Sequence, residues 1–207
     1  INKPDGVITE TRNFSINNTE VSINLPNTPY KDKAGINLYP NDIIATAKVK
    51  CTWSGVRELT WGIGSETKGT VTVDNSGTPT GDVGDVLVKD RNLVVNLSKT
   101  LSLQGNTNGS EVWVKVKDRT GYVSKTSEKY SIDKDVPIIS VSYDSTVEYG
   151  YYNKNRVARI TVKEANFDPS KFTVGGTSGT LGTWSSSGDD TWSNTITFST
   201  DGEYKFT

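Results

Sequence analysis

The chain has 207 residues, 33% of them hydrophobic, with 23 Lys and Arg against 24 Asp and Glu, one cysteine and no histidine. A net charge of −1 offers no basic field to nucleic acid, and the absence of imidazole excludes Ser-His-Asp and Cys-His catalysis and the usual zinc sites. So low an apolar share suits thin sheets packed face to face better than one large core, and no apolar run approaches the roughly 18 residues of a membrane span.

In chain order, Ile1-Asn2-Lys3-Pro4 comes first; it is echoed later at Ile132 to Pro137. Residues 26–42 carry Pro26, Pro29 and Pro40 among Asn27, Asn37 and Asn41, and read as an irregular connection. From Ala45 to Trp53 the odd positions are apolar or small and the even ones polar, the period of a half-buried antiparallel strand. That pattern places Cys51 and Trp53 inward. After Ser54-Gly55, Leu59, Trp61 and Ile63 share a face of the next strand. Residues 64–92, rich in Gly, Asp and Thr, read as a long inserted loop with a candidate strand at Val71-Thr72-Val73. Leu93 to Leu97 is a further strand candidate. Val112, Val114 and Val116 point inward and Trp113 outward; Asp118-Arg119-Thr120-Gly121 is a turn, and Tyr122 to Ile132 returns.

Tyr130-Ser131-Ile132-Asp133-Lys134-Asp135-Val136-Pro137 closes this segment and opens another. The expected division is therefore 1–134 and 135–207, with net charges of +2 (17 against 15) and −3 (6 against 9). In the second segment Ile139, Val141 and Tyr143 share a face, as do Ala158, Ile160 and Val162. Asp168-Pro169-Ser170-Lys171 has the N-cap and first-position proline of one helical turn. Trp192, Asn194, Ile196 and Phe198 line one face of a later strand. Short strands with turn signals at roughly 8–12 residue spacing point to an all-β chain of two tandem sandwiches.

Asp201-Gly202-Glu203-Tyr204-Lys205-Phe206 resembles the D-x-G-x-Y-x-C signature of immunoglobulin strand F, one residue short. Ser54 to Leu59, the D-x-x-G-x turn at Asp118 to Tyr122 and the I-D-K-x-x-P joint at Ile132 to Pro137 follow in the order found in bacterial Ig-like repeats of large Gram-positive surface and secreted proteins. The resemblance implies two immunoglobulin-like β-sandwich domains, the second lacking its last strand. It implies that Tyr204 is a corner tyrosine and that Phe206 replaces the strand F cysteine, facing Ile160. Pro137 then stiffens a short joint. The echo at residues 1–4, the initial Ile and the absence of Met read as a slice of a longer chain. A chain extended by about 10–15 residues is expected to unfold at higher denaturant.

The candidate sites follow from residue type. Cys51 reads as a small buried hydrophobe, with a reactive thiol as the alternative. One cysteine permits no internal disulfide and leaves the compartment open. Five Trp and nine Tyr invite stacking on sugar rings; Trp113, Trp184, Tyr151 and Tyr152 are the candidate ligand contacts, while Trp53, Trp61 and Trp192 read as core. Asp82, Asp85, Asp90, Asp189 and Asp190 lack the offsets of a calcium loop and read as solvated acids. Lys125 is the candidate for an internal Lys–Asn cross-link if its strand is bulged. No catalytic residue, metal or cofactor is assigned. The resemblance implies a non-catalytic extracellular spacer and interaction module of a cell-surface array, with neighbouring modules and a glycan or protein as partners. The alternative is a carbohydrate-binding accessory module of a secreted glycan-active enzyme.

Overall fold

The computed structural model describes residues 19–91, 93–144, 154–175 and 179–200. The chain divides into two compact units, Ile1–Asp133 and Lys134–Thr207. The division falls one residue before the expected boundary. Pro137 lies in the irregular stretch 133–137 and is exposed.

In the first unit the described strands are β1 (Thr19–Asn24), β2 (Leu38–Tyr39), β3 (Ile43–Cys51), β4 (Val56–Ile63), β5 (Glu66–Val73), β6 (Pro79–Gly81), β7 (Val86–Asp90), β8 (Leu93–Leu103), β9 (Thr107–Asp118) and β10 (Val123–Ile132). They form two sheets, ordered β1-β3-β8-β7 and β2-β10-β9-β4-β5-β6. Every pair is antiparallel except β2 with β10, which run parallel. The period-2 pattern explains the core. Ala45, Ala47, Val49 and Cys51 from β3 and Val94, Leu97, Leu101 and Leu103 from β8 meet Leu59, Trp61, Val71, Val112, Val114 and Val116 of the other sheet in one buried cluster. Two sheets sharing one core make this unit a β-sandwich. Close approach fixes one glycine in it. A Cβ on Gly69 would lie 2.3 Å from the Trp61 ring, so only Gly lets that indole lie against β5.

Three expectations are corrected here. Trp53 is not core: it is 65% exposed. The strand ends at Cys51, so the alternation does not carry through the turn to position 53. Residues 64–92 are not one long loop but contain β5, β6 and β7. Only Val71 and Val73 of β5 are buried, so a mostly polar strand next to the three-residue edge strand β6 resembles a loop in sequence. The 26–42 connection is irregular but contributes β2 to the sheet.

The second unit is described over β11 (Ile138–Tyr143), β12 (Arg156–Lys163), a 3-10 turn at Pro169–Lys171, β13 (Thr180–Leu181), β14 (Ser185–Gly188) and β15 (Thr191–Phe198). Its sheet runs β11-β12-β15-β13, with β14 also paired to β15. Asp168 caps the turn through Ser170, as the sequence indicates. Ala158, Ile160, Val162, Ile196 and Phe198 form the buried cluster, with Phe167, Phe172, Val174 and Trp184 packed on it. Ile139, Val141 and Tyr143 stand opposite Val162, Ile160 and Ala158, on the same face by register, yet all three are exposed. The apolar side chains grouped on this face pack against the cluster of β12 and β15, while β11 lies at the sheet's margin. Tyr204 and Phe206, and with them the strand F signature and the missing last strand, lie outside the described residues.

Candidate functional site

One turn is built three times in the first unit. Asp32-Lys-Ala-Gly35-Ile36, Asp74-Asn-Ser-Gly77-Thr78 and Asp118-Arg-Thr-Gly121-Tyr122 share the spacing D-x-x-G-x. In each, the Asp N–H donates to the carbonyl four residues on, at 2.9, 3.0 and 3.0 Å. In each, the Gly N–H donates back to the Asp carbonyl, at 3.0, 3.1 and 3.1 Å. The glycine has φ of 78°, 75° and 91°, the left-handed residue that closes a three-residue loop. The Asp Oδ1 accepts the N–H groups of the second and fourth following residues. Short polar side chains that hydrogen-bond their own backbone explain why Asp holds this position.

The third copy does more. Asp118 is fully buried, 0% exposed. Its Oδ1 accepts from Thr120 N (2.9 Å), Thr120 Oγ1 (2.7 Å) and Tyr122 N (2.9 Å). Its Oδ2 accepts from Ser54 Oγ (2.9 Å) and Thr19 Oγ1 (3.5 Å). Cys51 Sγ joins the same cluster, 3.1 Å from Ser54 Oγ and 3.4 Å from Thr19 Oγ1. Burial pushes the Asp118 carboxyl up, but the hydrogen bonds from Thr120, Ser54 and the Tyr122 backbone together outweigh it and hold the group below its ordinary value. Asp118 is therefore a charged, saturated carboxylate that ties three elements: β1, the β3–β4 turn and the β9–β10 turn.

Further bonds draw a third loop to the same end. Arg119 N donates to the Gly55 carbonyl (3.2 Å), and Arg119 Nη2 donates to the Asp74 carbonyl (2.7 Å). The β3–β4, β5–β6 and β9–β10 turns thus form one hydrogen-bonded loop end. Trp53 and Tyr122 stand on it, 65% and 58% exposed. Thr52, Asn75 and Thr120 are exposed beside them.

The aromatic residues expected to contact a ligand fare differently. Trp113 does project from the sheet, but its Nε1 donates to the Gly64 carbonyl (2.9 Å), its ring lies on Gly62, and the Lys125 ammonium sits 5.3 Å from its centroid. Trp184 is not free in a Gly/Ser loop. It packs edge-on against Phe167 and Phe172, each at 4.8 Å, because those rings need covering over the second unit's small core. Tyr151 and Tyr152 lie outside the described residues. Lys125 is exposed over Trp113, so it does not supply the inward amine of a cross-link.

Cys51 and Ile160 are buried, and the expected partner of Ile160, Phe206, lies outside the described residues. Asp82 pairs with Lys99 Nζ at 2.5 Å. Asp85 accepts the Thr100 N–H at 2.6 Å, as well as its hydroxyl. Asp189 and Asp190 form the β14–β15 turn with φ of 45° and 57°. Among the described residues, no three His, Cys, Asp or Glu side chains gather as a metal site, and no helix is long and apolar enough to cross a membrane.

The Asp118 turn was legible in the sequence, and its two copies carry the same spacing. The convergence of three loops was not, because it depends on strand order. Neither the models of known protein families nor the curated proteins contain a match to this chain.

Proposed function

We propose that the chain is a non-catalytic, immunoglobulin-like spacer and interaction module of an extracellular bacterial surface protein. One observation carries this reading: the strand order of the first unit. Lettered by their order in the chain, β1-β3-β8-β7 reads A-B-E-D, and β2-β10-β9-β4-β5-β6 reads A′-G-F-C-C′-C″, the variable-type arrangement. Two details support it. Trp61, on the strand equivalent to C, is a buried tryptophan. Cys51, on the strand equivalent to B, is buried and, as the single cysteine, forms no internal disulfide, opposite a β9 whose inward residues are Val112, Val114 and Val116. On this reading β5 and β6 are the C′ and C″ strands, and residues 64–92 need no separate insertion.

The role is geometric. A rigid sandwich holds loops at one end, and a short joint ending in Pro137 hands the chain to the next module. The partners are neighbouring modules and a glycan or protein outside the cell. Antibodies against the chain should label intact cells of its source. Labelling that needs permeabilised cells, or turnover of a glycoside or ester substrate by the purified chain, contradicts the proposal. A second reading, a carbohydrate-binding accessory module of a secreted glycan-active enzyme, is favoured by the two exposed rings at the loop end. A catalytic domain in the full reading frame decides for it; further repeats and a wall anchor decide against it.

A further inference from the structure

We infer that the loop end of the first unit binds a neutral oligosaccharide, with Trp53 and Tyr122 as its stacking rings. This names a ligand class for the interaction role proposed above and rests on that role.

Exposure gives the first argument. A tryptophan and a tyrosine left mostly in water lose the burial that large rings normally gain. Among the described residues, the other rings of this unit are mostly accounted for: Trp61, Tyr39 and Tyr130 are buried, and Trp113 is covered on Gly62 and by Lys125. Tyr30 is exposed too, but it sits on the connection tied by hydrogen bonds to β2 and β10 at the Asp32 turn.

Rigidity gives the second. Ser54, the residue after Trp53, donates to Asp118, and the Tyr122 N–H donates to the same carboxylate. Both rings therefore grow from backbone already fixed by one buried group. A surface ordered before binding loses less entropy on complex formation.

The chemistry of the end selects the ligand. The three loops read Thr-Trp-Ser-Gly, Asp-Asn-Ser-Gly-Thr and Asp-Arg-Thr-Gly-Tyr. They hold two flat rings, hydroxyls and the exposed Asn75 amide, and no Leu, Ile, Val or Phe. A pyranose needs a ring beneath its C–H face and amide or hydroxyl partners at its edge, and these loops supply both. Asp118 is sealed, while Asp74 is exposed and lies beside Arg119, whose guanidinium reaches its carbonyl. One exposed carboxylate and one guanidinium balance in these loops, so a neutral chain of sugars fits this surface better than an acidic or basic one.

The test is calorimetric and fluorescence titration of the intact chain with hexasaccharides of β-linked glucose, β-linked N-acetylglucosamine, β-linked xylose and α-linked mannose. At least one should bind. Trp53→Ala and Tyr122→Ala should each weaken that binding roughly thirtyfold, while Tyr30→Ala leaves it unchanged and all three variants melt with the parent. Binding to none of the four sugars overturns the inference. So does binding that survives both loop substitutions, or a Trp53-dependent partner that proves to be a protein. Surface labelling and sugar titration are separate measurements, so the cellular role and the ligand assignment can fail independently.

Discussion

The Asp74 and Asp118 turns have the same five-residue spacing, the same backbone bonds and the same left-handed glycine, and Arg119 joins them. They differ in what lies behind the carboxylate. Asp74 is exposed and accepts only from its own turn, through Ser76 and Thr78. Asp118 is buried and also accepts from Ser54, 64 residues away, and Thr19, 99 residues away. Local turn chemistry is thus identical, but only one copy has become a tertiary tie. Asp32 is intermediate: it is buried and accepts Ser131 Oγ at 2.6 Å besides Ala34 and Ile36.

The largest effect should come from Asp118→Ala. It strands donors on three elements in a buried site and should cost about 3 kcal/mol in denaturant unfolding of the first unit. Asp32→Ala should cost about 2 kcal/mol, having one long-range donor to lose. Asp74→Ala should cost the least of the three, as a solvated turn residue does. Equal losses at all three positions would break the comparison, because they would mean that the turn and not the tie sets the stability.

Acid sharpens it further. Asp118 and Asp32 both sit below their ordinary value of 3.8, since burial raises each but their hydrogen bonds outweigh it. A depressed folded pKa contributes stability that is present above the unfolded pKa and lost as pH falls through the folded one. Stability should therefore decline below about pH 4, with a shallower decline in Asp118→Asn. An unchanged acid slope in that variant would remove Asp118 from the linkage.

The sequence shows why some features were readable. Alternation at Ala45 to Cys51, Val112 to Val116, Ala158 to Val162 and Asn194 to Phe198 marks strands whose one face is buried, where a register slip would turn every side chain outward. β5 to β7 were harder, because marginal strands bury few residues and carry little periodicity. The alternation runs on in sequence to Trp53, but the strand ends at Cys51 and the chain turns, which leaves that ring exposed. The role of Asp118 was half legible. Its spacing announces a turn, but Ser54 and Thr19 reach it only because the chain folds β1, β3 and β9 together. The loop end depends on which strands are neighbours, and no local pattern records that.

The difference between the turns can be read in one sample by amide hydrogen exchange. Tyr122 and Thr78 occupy the same position in the two copies, and each donates its N–H to the turn's Asp Oδ1, at 2.9 and 2.7 Å. If the buried carboxylate locks the loop end, the Tyr122 amide should exchange only with unfolding of the first unit, and the Thr78 amide far faster, through local opening. In Asp118→Asn the Tyr122 amide should move toward the Thr78 rate. Equal exchange of the two amides in the parent chain would contradict the account, because the turns would then be held by their local bonds alone.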